Sequence, residues 1–373
     1  MAEFTEQLQQ SMLPHIRGLD VYQGVEPVEV MAERAGIPPE QIIRLNGNEN
    51  PYGPSPAVAK ALAGFPNFNH YPDPEQRQLR QALSGYVGVD PERIIAGNGS
   101  DELIDMLFRM FIGPGDNIIN LTPTFGMYSL GAEICGGQAV SVPRDADFEI
   151  DLESVKLAIT PRTKAIVVCS PNNPTGNMPS EAEVRALLDT GILVIVDEAY
   201  YEFSGQTLMP LLDEYPNLVV LRTFSKWAGL AGLRIGLGAM HPDLARTMMS
   251  VKPPYNVNLA AETALIASLE DMPALLERVN AIVAERERMY GLLSDIPTVK
   301  PYPSRANFIL CQLPEGSGQQ VFEGLCNLGI FLRHWNNPRL KDCVRTSVGF
   351  PEENDAVAAA LAELTNPLSP EGE

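Results

Sequence analysis

Six short apolar runs, each ending in a polar or glycine-rich segment, most narrowly limit what this chain can fold into: IIAG from Ile94, NIINL from Asn117, AIVVCS from Ala165, ILVIVDEAY from Ile192, LVVLRTFS from Leu218 and RIGLGAM from Arg234. Most are continuous and rich in β-branched residues rather than alternating, as strands buried on both faces should be. Helical spacing separates them, as in Leu103, Ile104, Leu107, Phe108 and Phe111, closed by Gly113 and Pro114 in the order that stops a helix. Such alternation specifies an α/β fold on a mainly parallel sheet. Ligands of such sheets gather at the carboxyl ends of the strands, so the residues after each run are where chemistry is expected.

Past about residue 270 the pattern changes. Leu275, Leu276, Val279, Ile282, Val283 and Met289 follow one long connecting helix. NFILCQL from Asn307, a helix over Gln319 to Leu328, GIFLR from Gly329, CVRTSVGF from Cys343 and a last helix over Ala356 to Leu364 then describe a smaller α+β unit. The first 45 residues carry a helical stretch from Val28 to Ala35 and no strand, which suggests an arm docked on the small domain or on a partner subunit. The expected division is an arm at 1–45, a large domain at 46–272 and a small domain at 273–373. The tail NPLSPEGE has the composition of a frayed terminus.

Composition removes several function classes. With 373 residues and 45% apolar content the chain can bury a large core, which excludes intrinsic disorder. A net charge of −20 is the opposite of what a general nucleic-acid binder or a ligand of anionic membranes needs. No run approaches the roughly 20 apolar residues of a membrane span, and MAEFTEQLQQ lacks the n- and h-regions of a signal peptide. A soluble, cytoplasmic protein is expected. The five cysteines form no CxxC pair and no cluster with the four histidines, so neither disulfides nor a metal site is expected.

The segments after the strands are polar and specific. After IIAG come Asn98, Gly99, Ser100, Asp101 and Glu102: glycines, a capping serine and acidic first-turn residues, either an ordinary capped turn or a phosphate site at a helix N-terminus. Pro171-Asn172-Asn173-Pro174-Thr175-Gly176 reads as a turn, although a bare turn rarely needs both asparagines. Asp197 ends a buried strand, as a helix cap or as a carboxylate awaiting a cation or a protonated ring nitrogen. Lys226, eight residues before Arg234, is either solvated or an amine with a depressed pKa.

Taken in order, NENPYGPSP from Asn48, YPD from Tyr71, SPNNPTG from Ser170, DEAY from Asp197 and TFSKWAGLAGLRIG from Thr223 closely resemble the fold-type I pyridoxal-phosphate enzymes, and most nearly the histidinol-phosphate aminotransferase family. The resemblance runs from Tyr22 to about Asp355. It implies a large α/β/α sandwich domain that binds pyridoxal 5'-phosphate, a smaller α+β domain, and a cytoplasmic homodimer whose sites are shared between subunits. Carried over by position, it makes Lys226 the amine that bonds the cofactor and shuttles the proton, and Asp197 the partner of the pyridine nitrogen. Asn173 and Tyr200 bond the phenolate oxygen. Ser100 and Asp101 through backbone N–H, Ser225 through its hydroxyl and Arg234 through its guanidinium hold the phosphate, with Tyr71 reaching in from the other subunit. Phe125 in PTFGMY stands where some members carry a stacking tyrosine, and Trp227 in SKWAG replaces a commoner alanine.

Toward the other end, Arg345 in CVRTSVG matches the arginine that grips the substrate's acidic group. Arg333 in FLRHW is either a second contact or a surface residue at a strand end. Tyr22 in VYQG matches a tyrosine that caps the partner's site, and Tyr255 in PPYNVN another lining position. The resemblance implies transamination between small amino-acid and 2-oxo-acid substrates, foremost L-histidinol phosphate with 2-oxoglutarate in histidine biosynthesis. Aromatic amino-acid aminotransferase and threonine-phosphate decarboxylase, of the same fold, stand as alternatives.

Overall fold

The computed structural model describes residues 5–22 and 24–366, so the tail from Pro367 lies outside the described residues. The strands in chain order are β1 (Ile43–Arg44), β2 (Ile94–Gly97), β3 (Asn117–Thr122), β4 (Gln138–Pro143), β5 (Thr163–Cys169), β6 (Leu193–Asp197), β7 (Leu218–Thr223), β8 (Gly236–Met240), β9 (Lys300–Pro301), β10 (Phe308–Gln312), β11 (Ile330–Phe331), β12 (Arg333–His334) and β13 (Cys343–Ser347). Seven of them form one sheet in the order β2-β8-β7-β6-β5-β3-β4. The run from β7 to β4 is parallel, and β8 is antiparallel to both neighbours.

Each continuous apolar run feeds two cores. In β5, Ile166 and Val168 face one cluster while Ala165, Val167 and Cys169 face the other. β6 repeats this with Val194 and Val196 against Leu193 and Ile195, and β7 with Leu218 and Val220 against Val219 and Leu221. Successive strand side chains point to opposite faces, so a sheet covered on both sides needs apolar residues at every position. Burying one such side chain is worth roughly 1.5–3 kcal/mol, which makes this two-sided packing the main anchor of the site's rim.

Helix Met272–Ser294 buries Leu275, Val279 and Ile282 in the first of these cores, then Met289 and Leu293 in a separate one with β10 and β13. It therefore holds two cores at a set spacing. The second core sits under a four-stranded antiparallel sheet, β12-β13-β10-β9.

Two expectations need correction, and one strand lies beyond them. The first 45 residues do contain a strand: β1 pairs in parallel with β11. Two residues are too short to show a period, and only their partner makes them a strand. GIFLR is split, with β11 on β1 and β12 on β13. The edge strand β4 was not foreseen, because its exposed residues break the apolar run. No helix among the described residues is long and apolar enough to cross a membrane.

Candidate active site

Parallel register brings the ends of three strands level, with Cys169 beside Asp197 and Asp197 beside Leu221. The segments that follow, 170–176 after β5, 198–200 after β6 and 224–227 after β7, therefore share one rim. Asp197 is 3% exposed. Its carboxylate accepts the Tyr128 hydroxyl at 2.7 Å and the Ala199 N–H at 3.1 Å. No cation pairs with it among the described residues. Burial pushes its pKa up to about 6, the Asp101 and Glu198 charges add to the rise, and the Tyr128 bond opposes it.

Lys226 is largely enclosed, and its Nζ donates to the Gly47 carbonyl at 3.0 Å. Burial, then the Arg345 guanidinium, lower its pKa to about 8. The lysine loop can approach the 46–54 segment because residue 229 is glycine: its φ is +68°, and a Cβ there would lie 2.5 Å from the Gly53 carbonyl carbon. Tyr200 is buried, accepts from Asn48 Nδ2 at 2.9 Å and sets its ring edge-to-face with Phe308. Burial drives its phenol well above the usual value, so the hydroxyl keeps its proton.

Asn173 meets a residue of the smaller sheet. Arg345 Nη1 donates to Asn173 Oδ1 at 2.6 Å and its Nη2 to the Asn46 carbonyl at 2.7 Å, while its Nε has no partner. The guanidinium lies 5.2 Å from the Phe308 ring centre and 5.8 Å from that of Trp335. Arg333 sits directly across β12–β13 from Arg345, also against Trp335. Burial lowers Arg345 to about 10, and the Arg333 charge adds to the fall.

At the opposite end the helix Gly99–Phe111 begins. Asn98, not Ser100, is its N-cap, and the Asn98 side chain makes no capping bond. The expected capping serine is instead the second helical residue, because the helix starts at Gly99. First-turn N–H groups are thus left without a side-chain cap. Arg234 closes this end: Nη1 donates to Ser225 Oγ at 3.2 Å and Nη2 to Asp101 Oδ2 at 3.0 Å. Its Nη2 rests over Gly99, where a Cβ would come within 2.6 Å. An open helix N-terminus beside a guanidinium is an arrangement that can accept an anion such as a phosphate.

The sequence pattern of the family described as "Aminotransferase class I and II" matches residues 40–361. The chain is 48% identical to a histidinol-phosphate aminotransferase of Roseiflexus castenholzii over 360 residues, covering 94% of this chain and 97% of that one. It is 45% identical to the chloroplastic histidinol-phosphate aminotransferase of Nicotiana plumbaginifolia, covering 93% and 85%. Among solved structures it is similar to the histidinol-phosphate aminotransferase of Sinorhizobium meliloti in complex with pyridoxal-5'-phosphate, with a TM-score of 0.85, 29% identity and coverage of 95% and 97%. The chain belongs to the histidinol-phosphate aminotransferase family of class I and II aminotransferases.

In this aminotransferase several site residues escaped sequence reasoning. Gly47, Asn48 and Tyr128 were given no role, although NENPYGPSP and PTFGMY contain the latter two. Arg222 and Glu198 form a buried ion pair at 3.0 Å that ties the turn after Asp197 to the strand before Lys226. Trp227 turns away from the site: it is fully buried, stacks on Tyr86 at 5.6 Å and leaves its Nε1 without a partner.

The aromatic candidates divide into two groups. Tyr71 and Tyr255 stack at 4.4 Å, and Asn256 bonds Glu102 in the first turn of the cup helix. Tyr22, expected over a partner's site, lies edge-on to Phe125 of its own chain at 6.1 Å, and Phe125 is edge-on to Tyr128 at 5.5 Å.

Proposed function

We propose that this aminotransferase moves an amino group between L-histidinol phosphate and 2-oxoglutarate, giving imidazole-acetol phosphate and L-glutamate, with pyridoxal 5'-phosphate as its cofactor. The names of its relatives support the substrates. Three features suit the cofactor. Asp197 is a buried carboxylate with no cation partner among the described residues, as a protonated pyridine nitrogen requires. Gly99 opens a cradle beneath Arg234 at an uncapped helix N-terminus, as a phosphate requires. The depressed amine of Lys226 suits bonding to an aldehyde carbon.

When bound, pyridoxal phosphate supplies an electron sink for the carbanion left by removal of the substrate's α-proton. The Asp197 carboxylate would hold the ring nitrogen protonated, and Phe125 would line the face of the ring. Tyr200 donates its hydroxyl to the phenolate oxygen. Asn173 Oδ1 is taken by Arg345, so its amide N–H2 remains to donate to the same oxygen. Ser100 and Asp101 by backbone N–H, Ser225 and Arg234 would hold the phosphate, and Tyr71 of the partner subunit would complete the cup. Lys226, part neutral near pH 8, would be the base that takes the substrate's α-proton. Arg345 and Arg333 would grip the substrate's anion, with Tyr255 lining the site and Tyr22 capping that of the partner subunit.

The observation that carries the substrate assignment is the Arg345–Arg333 pair. Arg333 and Arg345 are direct cross-strand neighbours, both packed against Trp335, and neither has a carboxylate partner among the described residues. Their mutual repulsion suits a dianion such as a phosphate monoester. A half-reaction assay, following the absorbance of the loaded enzyme with L-histidinol phosphate, L-glutamate, L-phenylalanine and L-threonine phosphate, tests this. Rapid response to the first two supports the reading. Preference for phenylalanine would replace it with an aromatic aminotransferase, and carbon dioxide release from threonine phosphate with a decarboxylase.

The same reading makes the protein a cytoplasmic homodimer, with an arm at 1–45, a cofactor domain at 46–272 and a small domain at 273–373. Support for the dimer comes from apolar side chains left in solvent: Val21 is 90% exposed and Tyr71 79%. Helix Glu6–Ser11 buries nothing in its own chain. A two-fold contact would cover both arms at once. All five cysteines are free thiols, which suits a reducing compartment.

A further inference from the structure

The phosphate cup already holds an anion of its own. Asp101, the third residue of helix Gly99–Phe111, occupies Arg234 Nη2 through its carboxylate at 3.0 Å. Arg234 has further contacts in the cup. Its backbone is left-handed at φ +53°, its Nη1 is shared by Ser225 Oγ and the Ala231 carbonyl at 3.2 Å each, and Nη2 is lodged over Gly99. A phosphate seated between the helix N-terminus and this guanidinium meets Asp101 at the same donor. The carboxylate's field reaches into the site, where it acts on both Lys226 and Asp197.

We propose that the Asp101 side chain is an internal counter-ion of the cup, holding Arg234 in place while no phosphate is bound and competing with phosphate for it. The inference rests on the phosphate-cup reading above and assigns the side chain a role opposite to that of its own backbone N–H. The N–H attracts the ligand and the carboxylate weakens its hold. Competition follows from charge: a dianion and a carboxylate on one guanidinium repel each other, and the helix N-terminus can satisfy only what lies closest. Both side chains are partly open to solvent, 45% for Arg234 and 41% for Asp101. Their pairing is accordingly in the range of exposed ion pairs, and removing it should change affinity by about three- to fivefold.

Calorimetric titration of the full-length chain, freed of cofactor, with inorganic phosphate at low ionic strength tests this. Asp101→Asn should bind phosphate about three- to fivefold more tightly than the wild type, Asp101→Ser should do the same, and the gain should shrink as salt is added. Arg234→Met should bind weakly, and adding Asp101→Asn to it should bring no gain. Equal or weaker binding by both Asp101 variants, with Arg234→Met still impaired, overturns the counter-ion role and leaves the cup standing. An undiminished gain in the double variant also overturns it, since the effect would then not pass through Arg234. Wild-type affinity in Arg234→Met overturns the cup reading, and the counter-ion with it.

Discussion

Tyr128 and Asp197, 69 residues apart in the chain, share a 2.7 Å hydrogen bond deep under the rim of the sheet, with the tyrosine hydroxyl as donor. A donor to the charged form of an acid favours ionisation, here partly offsetting the burial that holds Asp197 near pH 6. In Tyr128→Phe the carboxyl of the cofactor-free protein should titrate above about 6. Carbon-13 NMR of labelled aspartate reads this directly, and an unchanged or lower titration point would show that the bond does not stabilise the anion.

Asp197→Asn should separate activity from stability. An amide cannot hold a proton on a cationic ring nitrogen, so turnover should fall by about two to three orders of magnitude. The cofactor-free protein should gain stability. A native pKa raised from 3.8 to about 6 means the folded state binds more protons than the unfolded state between those values, so wild-type stability falls as pH rises through that window. The variant escapes that loss. Its Tm should exceed the wild type's above pH 6, and the difference should narrow toward pH 4.

Lys226 should be the early lysine in competitive acetylation of the cofactor-free chain. Its reactivity should climb through about pH 8 rather than near the ordinary 10.5, because burial and Arg345 disfavour the ammonium form. Mass spectrometry of the modified peptides measures this. Lys226→Ala should abolish transamination while leaving phosphate binding intact, since the cup is built from other residues.

Arg345→Ala should weaken kcat/KM for both substrates by roughly 2–5 kcal/mol, the range for removing one partner of a desolvated charge pair. Arg345→Lys should recover part of that loss, because a single ammonium cannot reach Asn173, the Asn46 carbonyl and a ligand together. Loss confined to glutamate would assign the phosphate to Arg333.

Trp227→Ala should lower unfolding free energy by about 3–5 kcal/mol through the cavity left against Tyr86 and Phe224. Trp227→Phe should cost less, because the indole Nε1 has no partner to lose. Urea denaturation measures both.

The strands of the large sheet were legible because burial on two faces demands apolar residues at every position, and β5, β6 and β7 meet that demand. Strand ends follow from the same rule, so Asn173, Asp197, Lys226 and Arg234 could be singled out by their place after each run. The chain's chemistry was thus written in local order. Which atoms meet was not. Asn173 and Arg345 lie 172 residues apart, on segments of different sheets, yet share a 2.6 Å bond. The Gly47 carbonyl under Lys226 and the Asn48 amide on Tyr200 come from a stretch with no period at all. Nor could spacing show that Trp227 faces the core while its neighbour Lys226 faces the site. Such partners are chosen by burial and distance once helix Met272–Ser294 has set the two cores in place, and neither quantity exists until the chain has folded.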